Sequence, residues 1–165
     1  MTAIRLIAPA ALALALLGST ALGQTATKAK KPPQPTDIEA NEMEIIDAEK
    51  KAIFKGQVKA VRGDTTLTSD QLVVLYNEVA QPDGTTKTDA TDLEATGSVK
   101  IVTKKETITG SKAKINPQTN EIVVTGNVKL VQGSTVLTGP ELHADMDTDR
   151  VEMKGGRVKG SFLPK

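Results

Sequence analysis

From Ile38 onward, Val, Ile and Thr alternate with Lys, Glu and Asp over segments of four to seven residues, and Gly, Asn and Asp punctuate the segments. A hydrophobic period of two over runs this short predicts β-strands with one dry face and one wet face, joined by tight turns. Parity then sorts the side chains. Val58 and Ala60, Val99 and Ile101, and Val128 and Leu130 point one way, whereas Lys59, Lys100 and Lys129 point the other. Following the apolar parity along the chain collects Phe54, Leu67, Val74, Tyr76, Leu93 and Ala95, then Ile108, Ile115, Ile122, Val124 and Leu137, and finally Met146, Val151 and Met153. A continuous aliphatic lining backed by Lys, Thr, Glu and Asp implies a sheet folded over on itself, dry inside and wet outside.

A repeat organises this alternation. GQVK at 56–59, GSVK at 97–100 and GNVK at 126–129 share one phrase, and GGRVK at 155–159 is a degenerate fourth copy. The glycines are spaced by 41, 29 and 29 residues, and the 12-residue excess of the first unit is expected to be the polar stretch VAQPDGTTKTDA at 79–90, inserted as a loop. Eleven residues after each of the first three glycines stands an aliphatic residue followed by Thr, as Leu67-Thr68, Ile108-Thr109 and Leu137-Thr138. Leu72, Ala113 and Leu142 follow at sixteen, and Val74, Ile115 and Ala144 at eighteen. NPQTNE at 116–121 and DTDR at 147–150 carry turn chemistry. Units of this length predict a stacked β-architecture in which each copy adds a rung to one wall.

Composition narrows what such a wall can do. The chain has 165 residues, enough for one domain, with 38% apolar residues and only 2% aromatic. Many medium-sized aliphatics and almost no rings read either as a plain core or as a trough open to apolar ligands along the repeat axis. Lys and Arg number 21 against 20 for Asp and Glu, and with so few aromatics this balance argues against nucleic acid, whose binding wants a basic face or stacking platforms. There is no cysteine, hence no thiol nucleophile, disulfide framework or thiolate metal site, and the single histidine, His143, rules out a multi-histidine zinc site. HADMDTD at 143–149 does not rescue catalysis or metal binding: numbered as a calcium loop from Asp145, it has Arg150 where glycine is required. The expected reading there is a solvated strand edge entering a turn.

The N-terminus sets the compartment. Arg5 precedes the apolar run LIAPAALALALL at 6–17, and Ala21 and Gly23 occupy the small-residue positions of a cleavage site before Gln24. About a dozen apolar residues is short against the roughly 20 that a spanning helix needs, so residues 1–23 are expected to be a cleaved signal peptide that exports the chain to the periplasm. Residues 24–36, with the basic, Pro-rich TKAKKPPQP, are expected to be a disordered spacer.

Taken in order, IEANEMEIID, AIFKGQV, ATGSVKI, ITGSKAKI and the run from VVTGNVKL to GGRVKG resemble the OstA-like domain family of lipopolysaccharide transport, to which LptA, LptC and the N-terminal part of LptD belong. The resemblance implies an all-β fold, a single antiparallel β-jellyroll open at both ends, over residues 37–163. It implies a carrier that is not an enzyme and uses no cofactor, holding the acyl chains of lipopolysaccharide inside and leaving the sugars outside. The family's lining matches Ile38 and Ala40 at one end, then Phe54, Val58, Leu67, Val74, Val99 and Ile101. It continues through Ile108, Ile115, Val124, Val128, Leu130 and Leu137. The first strand, at 36–45, and the last, at 151–162, match the family's coupling edges. These would meet an LptC-like partner at one edge, an LptD-like partner at the other, or a second copy head to tail, by β-augmentation. A structural β-filament without ligand and an LptC-like member that keeps its N-terminal anchor are the alternatives.

Overall fold

Residues 35–162 are described in the computed structural model. The expected signal peptide and all but the last two residues of the expected spacer lie outside the described residues. Ten strands follow in order: β1 (Asp37–Glu39), β2 (Glu42–Ile46), β3 (Lys51–Arg62), β4 (Thr65–Ala80), β5 (Thr86–Val102), β6 (Thr107–Asn116), β7 (Glu121–Gln132), β8 (Thr135–Asp145), β9 (Arg150–Lys154) and β10 (Lys159–Ser161). One 3-10 turn, Asp47–Glu49, joins β2 to β3. All pairings are antiparallel, and β3 to β8 form a meander in chain order. Each edge of this meander is covered by a strand in two pieces, β1 and β2 against β3, β9 and β10 against β8. The continuous edge strands expected from the sequence are thus broken, at Ala40-Asn41 and at residues 155–158.

A register shift recurs in every pairing from β3–β4 to β7–β8, and these shifts line up; the β4–β5 pair has a second, between Leu75 and Tyr76. The aligned shifts fall between Lys55 and Val58 in β3, Thr68 and Gln71 in β4, Thr96 and Val99 in β5, Thr109 and Lys112 in β6, and Thr125 and Val128 in β7. At these places two residues of an odd-numbered strand oppose one of its partner, the arrangement of a β-bulge, which bends the strand and sharpens its twist. The bulged pairs are Gly56-Gln57, Gly97-Ser98 and Gly126-Asn127, every one in the left-handed region with φ between 47° and 84°. A bulge repeated across five strand pairs is a corner. It divides the sheet into a long half-sheet (β2, β9 and the adjoining parts of β3 to β8) and a short one (β1, β10 and the remaining parts), which close on each other like the covers of a book.

The repeated glycine phrase therefore has a different cause from the one parity suggests. Its Gly-x pair makes the corner, and its Val is the first inward position beyond it. At Gly126 a Cβ would come within 2.7 Å of Ser111 across the bulge, so both the backbone conformation (φ 84°) and the space call for glycine. Gly110 has a different reason: a Cβ there would lie 2.5 Å from Val124 Cγ1, a side chain of the opposing half-sheet.

The expected polar loop at 79–90 is mostly strand. Tyr76 pairs with Ala90, Glu78 with Thr88 and Ala80 with Thr86, so the 12 extra residues lengthen the β4–β5 hairpin and leave only residues 81–85 as its turn. Polar composition misleads here because a hairpin that projects beyond the packed sheet needs backbone pairing but no apolar face.

Candidate functional site

Register carries the inward residues into rows that cross the whole sheet. One row runs Met43, Phe54, Leu72, Ala95, Ala113, Val124, Leu142, Met153. Beside it runs Ile45, Ala52, Val74, Leu93, Ile115, Ile122, Ala144, Val151. On the short half-sheet the row is Ile38, Ala60, Leu67, Ile101, Ile108, Leu130, Leu137, Gly160. Each row crosses eight strands, so at ~4.8 Å per strand it is about 34 Å long. Cross-strand aliphatic neighbours on one face stabilise both the pairing and the register, because a one-residue slip would turn a whole row to water.

All fourteen lining residues expected from the sequence fall in one apolar cluster. Val58, Leu67, Val74, Val99, Ile101, Ile108, Val124, Val128 and Leu130 are buried in it, and Ile38, Ala40, Phe54, Ile115 and Leu137 pack against it partly buried. The set omitted Leu72 and Leu142, both 0% exposed at its centre. The repeat marks them, sixteen residues after a glycine, but alternation counted from Leu67 or Leu137 does not, because the bulges at Asp70 and Pro140 reverse parity between the half-sheets. Ser69, the one buried polar residue among the described residues, sits at that corner and donates from Oγ to the Gln71 carbonyl at 3.0 Å.

The rows end unfinished. Met43 and Ile45 are 61% and 54% exposed, and at the far edge Phe162 is 69% exposed. The outward residues of the two edges differ in charge. Asp37, Glu39, Glu42 and Glu44 lie on β1 and β2, whereas β9 and β10 carry Arg150, Lys154 and Lys159. Glu152 stands among the latter, its carboxyl held below the usual range by the hydrogen bond from Lys154 and then by the charge of Arg150.

The outer face of the short half-sheet is regular as well: Lys59, Thr68, Lys100, Thr109, Lys129, Thr138 and Lys159 form one row. The outer surface carries shallow depressions. One, of about 380 Å³, lies at the corner by Lys100, Thr109 and Ser111; another, of about 450 Å³, lies on the long half-sheet among Val73, Leu75 and Val123.

Opposite the corner, the free rims of the two half-sheets meet along a mouth. Lys105 Nζ, in the β5–β6 turn of the short rim, pairs with Asp149 Oδ2 at 2.7 Å in the β8–β9 turn of the long rim. Arg62 Nη1, at the end of β3, donates to Asn120 Oδ1 at 3.3 Å and to the Pro117 carbonyl at 3.5 Å in the β6–β7 turn. Glu106, beside Lys105, has its carboxyl pushed up by burial and then by the charge of Asp149, with Lys105 opposing. The acidic and amide residues of the long rim also build its turns. Asn116 Oδ1 accepts from the amides of Gln118 and Thr119 at 2.9 and 3.1 Å, and Asp145 Oδ1 accepts from those of Asp147 and Thr148 at the same two distances. HADMDTD is thus turn-capping chemistry, with His143 bonded to Glu141 on the outer face. Among the described residues no group of three or more His, Cys, Asp or Glu side chains is placed to hold a metal ion, and no helix is long and apolar enough to cross a membrane.

Comparison with known proteins agrees with this architecture. Residues 37–150 match the family described as LptA/(LptD N-terminal domain) LPS transport protein. A protein of Rhizobium meliloti (strain 1021), described as an uncharacterized protein, is 32% identical over 167 residues, covering 96% of this chain and 90% of the relative. Among solved structures, LptH of Pseudomonas aeruginosa, the LptA-homologous periplasmic component of the lipopolysaccharide transport device, superposes with a TM-score of 0.69 at 16% identity, covering 79% of this chain and 96% of that one. The folded-over antiparallel sheet, its single aliphatic interior and the family match over β1 to the start of β9 identify the chain as a member of the LptA/LptD N-terminal domain family.

Proposed function

We propose that this protein is a periplasmic carrier of lipopolysaccharide, exported by cleavage of its N-terminal signal, which shields the acyl chains of the lipid between its half-sheets while the sugars stay in water. The observation that carries the reading is the set of aliphatic rows running unbroken from one open edge of the sheet to the other. At ~0.8 kcal/mol per methylene, one 14-carbon chain in water costs on the order of 10 kcal/mol, so a lipid with several chains needs a continuous apolar path. Rows of similar aliphatic residues suit transport, because no position along them binds so tightly that the lipid stalls. The protein contributes no chemistry, and energy comes from a partner.

The edges are the joints of a bridge. The outermost strands at the two edges run in opposite directions, so a second copy in the same orientation, or an LptC-like or LptD-like domain, extends the antiparallel order. Placed head to tail in register, the rows continue from Met153 to Met43 and from Val151 to Ile45. Lys154 then meets Glu42 and Lys159 meets Glu39, while Glu152 facing Glu44 is a like-charge contact. The exposed Met43, Ile45 and Phe162 are buried in such a joint. Lipid extraction and mass spectrometry of the protein purified from its own envelope tests the reading. Stoichiometric lipopolysaccharide is expected, and a folded, lipid-free protein that also fails to take up added lipopolysaccharide would favour a structural β-filament.

A further inference from the structure

The mouth between the rims is crossed by two contacts of one design. In each, a cation on the short rim reaches a side chain on the long rim, Lys105 to Asp149 and Arg62 to Asn120. Both run from one turn to a turn three strands further along the sheet, the stagger that its twist imposes. Asn120 and Asp149 are the same position of successive repeats, each in the left-handed conformation with φ 55°. The third basic residue of the short rim, Lys104, pairs instead along that rim, with Asp64 at 2.8 Å.

A lipid whose chains lie between the half-sheets and whose head stays in water must straddle this mouth. The crossing contacts then have to part where the lipid lies. The first is suited to parting by exposure, since Lys105 and Asp149 are 63% and 68% exposed and exposed pairs are weakly held; the second is partly buried but long, with Arg62 3.3 Å from Asn120 and 3.5 Å from the Pro117 carbonyl. Parting leaves a guanidinium and an ammonium on the lip just where an amphiphile presents its head. A phosphate or carboxylate returns to each the charge-assisted hydrogen bond it has lost.

We propose that Arg62 and Lys105 form the headgroup-recognition site of this carrier: as the mouth opens they exchange Asn120 and Asp149 for the anionic oxygens of the amphiphile's head. The site rests on the lipid-carrier reading above and adds to it a preference for acidic amphiphiles and a latch that closes behind them.

The test is equilibrium binding of fluorescent diacyl amphiphiles with phosphate, carboxylate or uncharged heads to the protein expressed from its full sequence. Two variants are compared with it, Arg62→Gln/Lys105→Gln, which removes the cations, and Asn120→Gly/Asp149→Gly, which removes their side-chain acceptors, and with them the Asn120–Asp147 hydrogen bond, at two positions whose φ of 55° glycine accepts. The unaltered protein is expected to prefer an anionic head by about tenfold. The cation variant is expected to lose that preference while binding the uncharged amphiphile at least as well. The acceptor variant is expected to keep the preference and bind every amphiphile a few-fold more tightly. Anionic preference that survives in the cation variant, or an acceptor variant that binds all three as the unaltered protein does, overturns the proposal and leaves the lipid-carrier reading standing. Folded protein that takes up none of the three overturns both.

Discussion

The middle of an inner row and its end are built from the same kind of residue and have opposite fates. Leu142, in the middle, is 0% exposed, whereas Met43, at the end of the same row, is 61% exposed. The difference is the missing neighbour: β7 and β9 flank Leu142, while nothing lies beyond Met43. Monomeric proteins ordinarily blunt such edges with charge, proline or broken strands. This one breaks both edge strands and charges their outer faces, yet leaves the inward residues aliphatic. An edge that is charged on its wet face and apolar on its dry face continues the interior pattern out to the last strand.

Substitutions at the two places should separate these roles. Leu142→Ala opens a cavity in the fully enclosed centre and is expected to lower stability by about 2–5 kcal/mol, read from urea unfolding. At the corner, Gly126→Ala puts a Cβ 2.7 Å from Ser111 on a backbone at φ 84°, with an expected loss of about 1–3 kcal/mol. Its counterpart in the last repeat, Gly155, has nearly the same φ, 83°, but a Cβ there meets nothing nearer than ordinary contact, Pro140 Cγ at 3.4 Å and Glu141 Cβ at 3.5 Å. Gly155→Ala should therefore cost less, and equal losses would show that backbone conformation alone, without crowding, demands the glycines. Met43→Lys/Ile45→Lys is expected to change monomer stability by about 1 kcal/mol or less while abolishing head-to-tail association in sedimentation or crosslinking. A large loss of monomer stability instead would make that edge part of the core.

The smallest effect is expected at the mouth. The carboxyl of Glu106 is raised above its ordinary value by burial and by Asp149, so its ionised form is the one the folded state disfavours. A raised acid has the opposite sign from the usual carboxylate: the folded state gains as pH falls through the Glu106 value and the proton binds, and it loses as pH rises. Glu106→Gln should raise the urea midpoint slightly at neutral pH, and the advantage should vanish below the carboxylate range. An advantage that persists in acid would assign the effect to something other than this titration.

Much of this organisation is legible in the sequence because strand parity is a local property. Lys100 faces out and Ile101 faces in as alternation requires, and the fourteen expected lining residues lie on one surface for the same reason. Three features escape it. The corner reverses parity, so Leu72 and Leu142 are visible only through the repeat spacing. The long β4–β5 hairpin is polar, so its pairing leaves no apolar trace at residues 79–90. The rim contacts of Arg62 and Lys105 join residues 58 and 44 positions apart, and no periodic pattern encodes which turns the twist will bring together. Local pattern thus supplies the rungs and their faces, while twist and bulge geometry supply the closure.

The central claim is that the inner rows are a lipid path and not only a core. Site-specific photocrosslinking in cells tests it most directly, with the reactive group at Ile101 or Ile115 on the inner face and at Lys100 or Lys129 on the outer. The account predicts lipopolysaccharide adducts at the inner positions and none at the outer ones, although Lys100 and Ile101 are neighbours in the chain. Folded protein that gives no lipid adduct at either inner position, or adducts equally at all four, would contradict it.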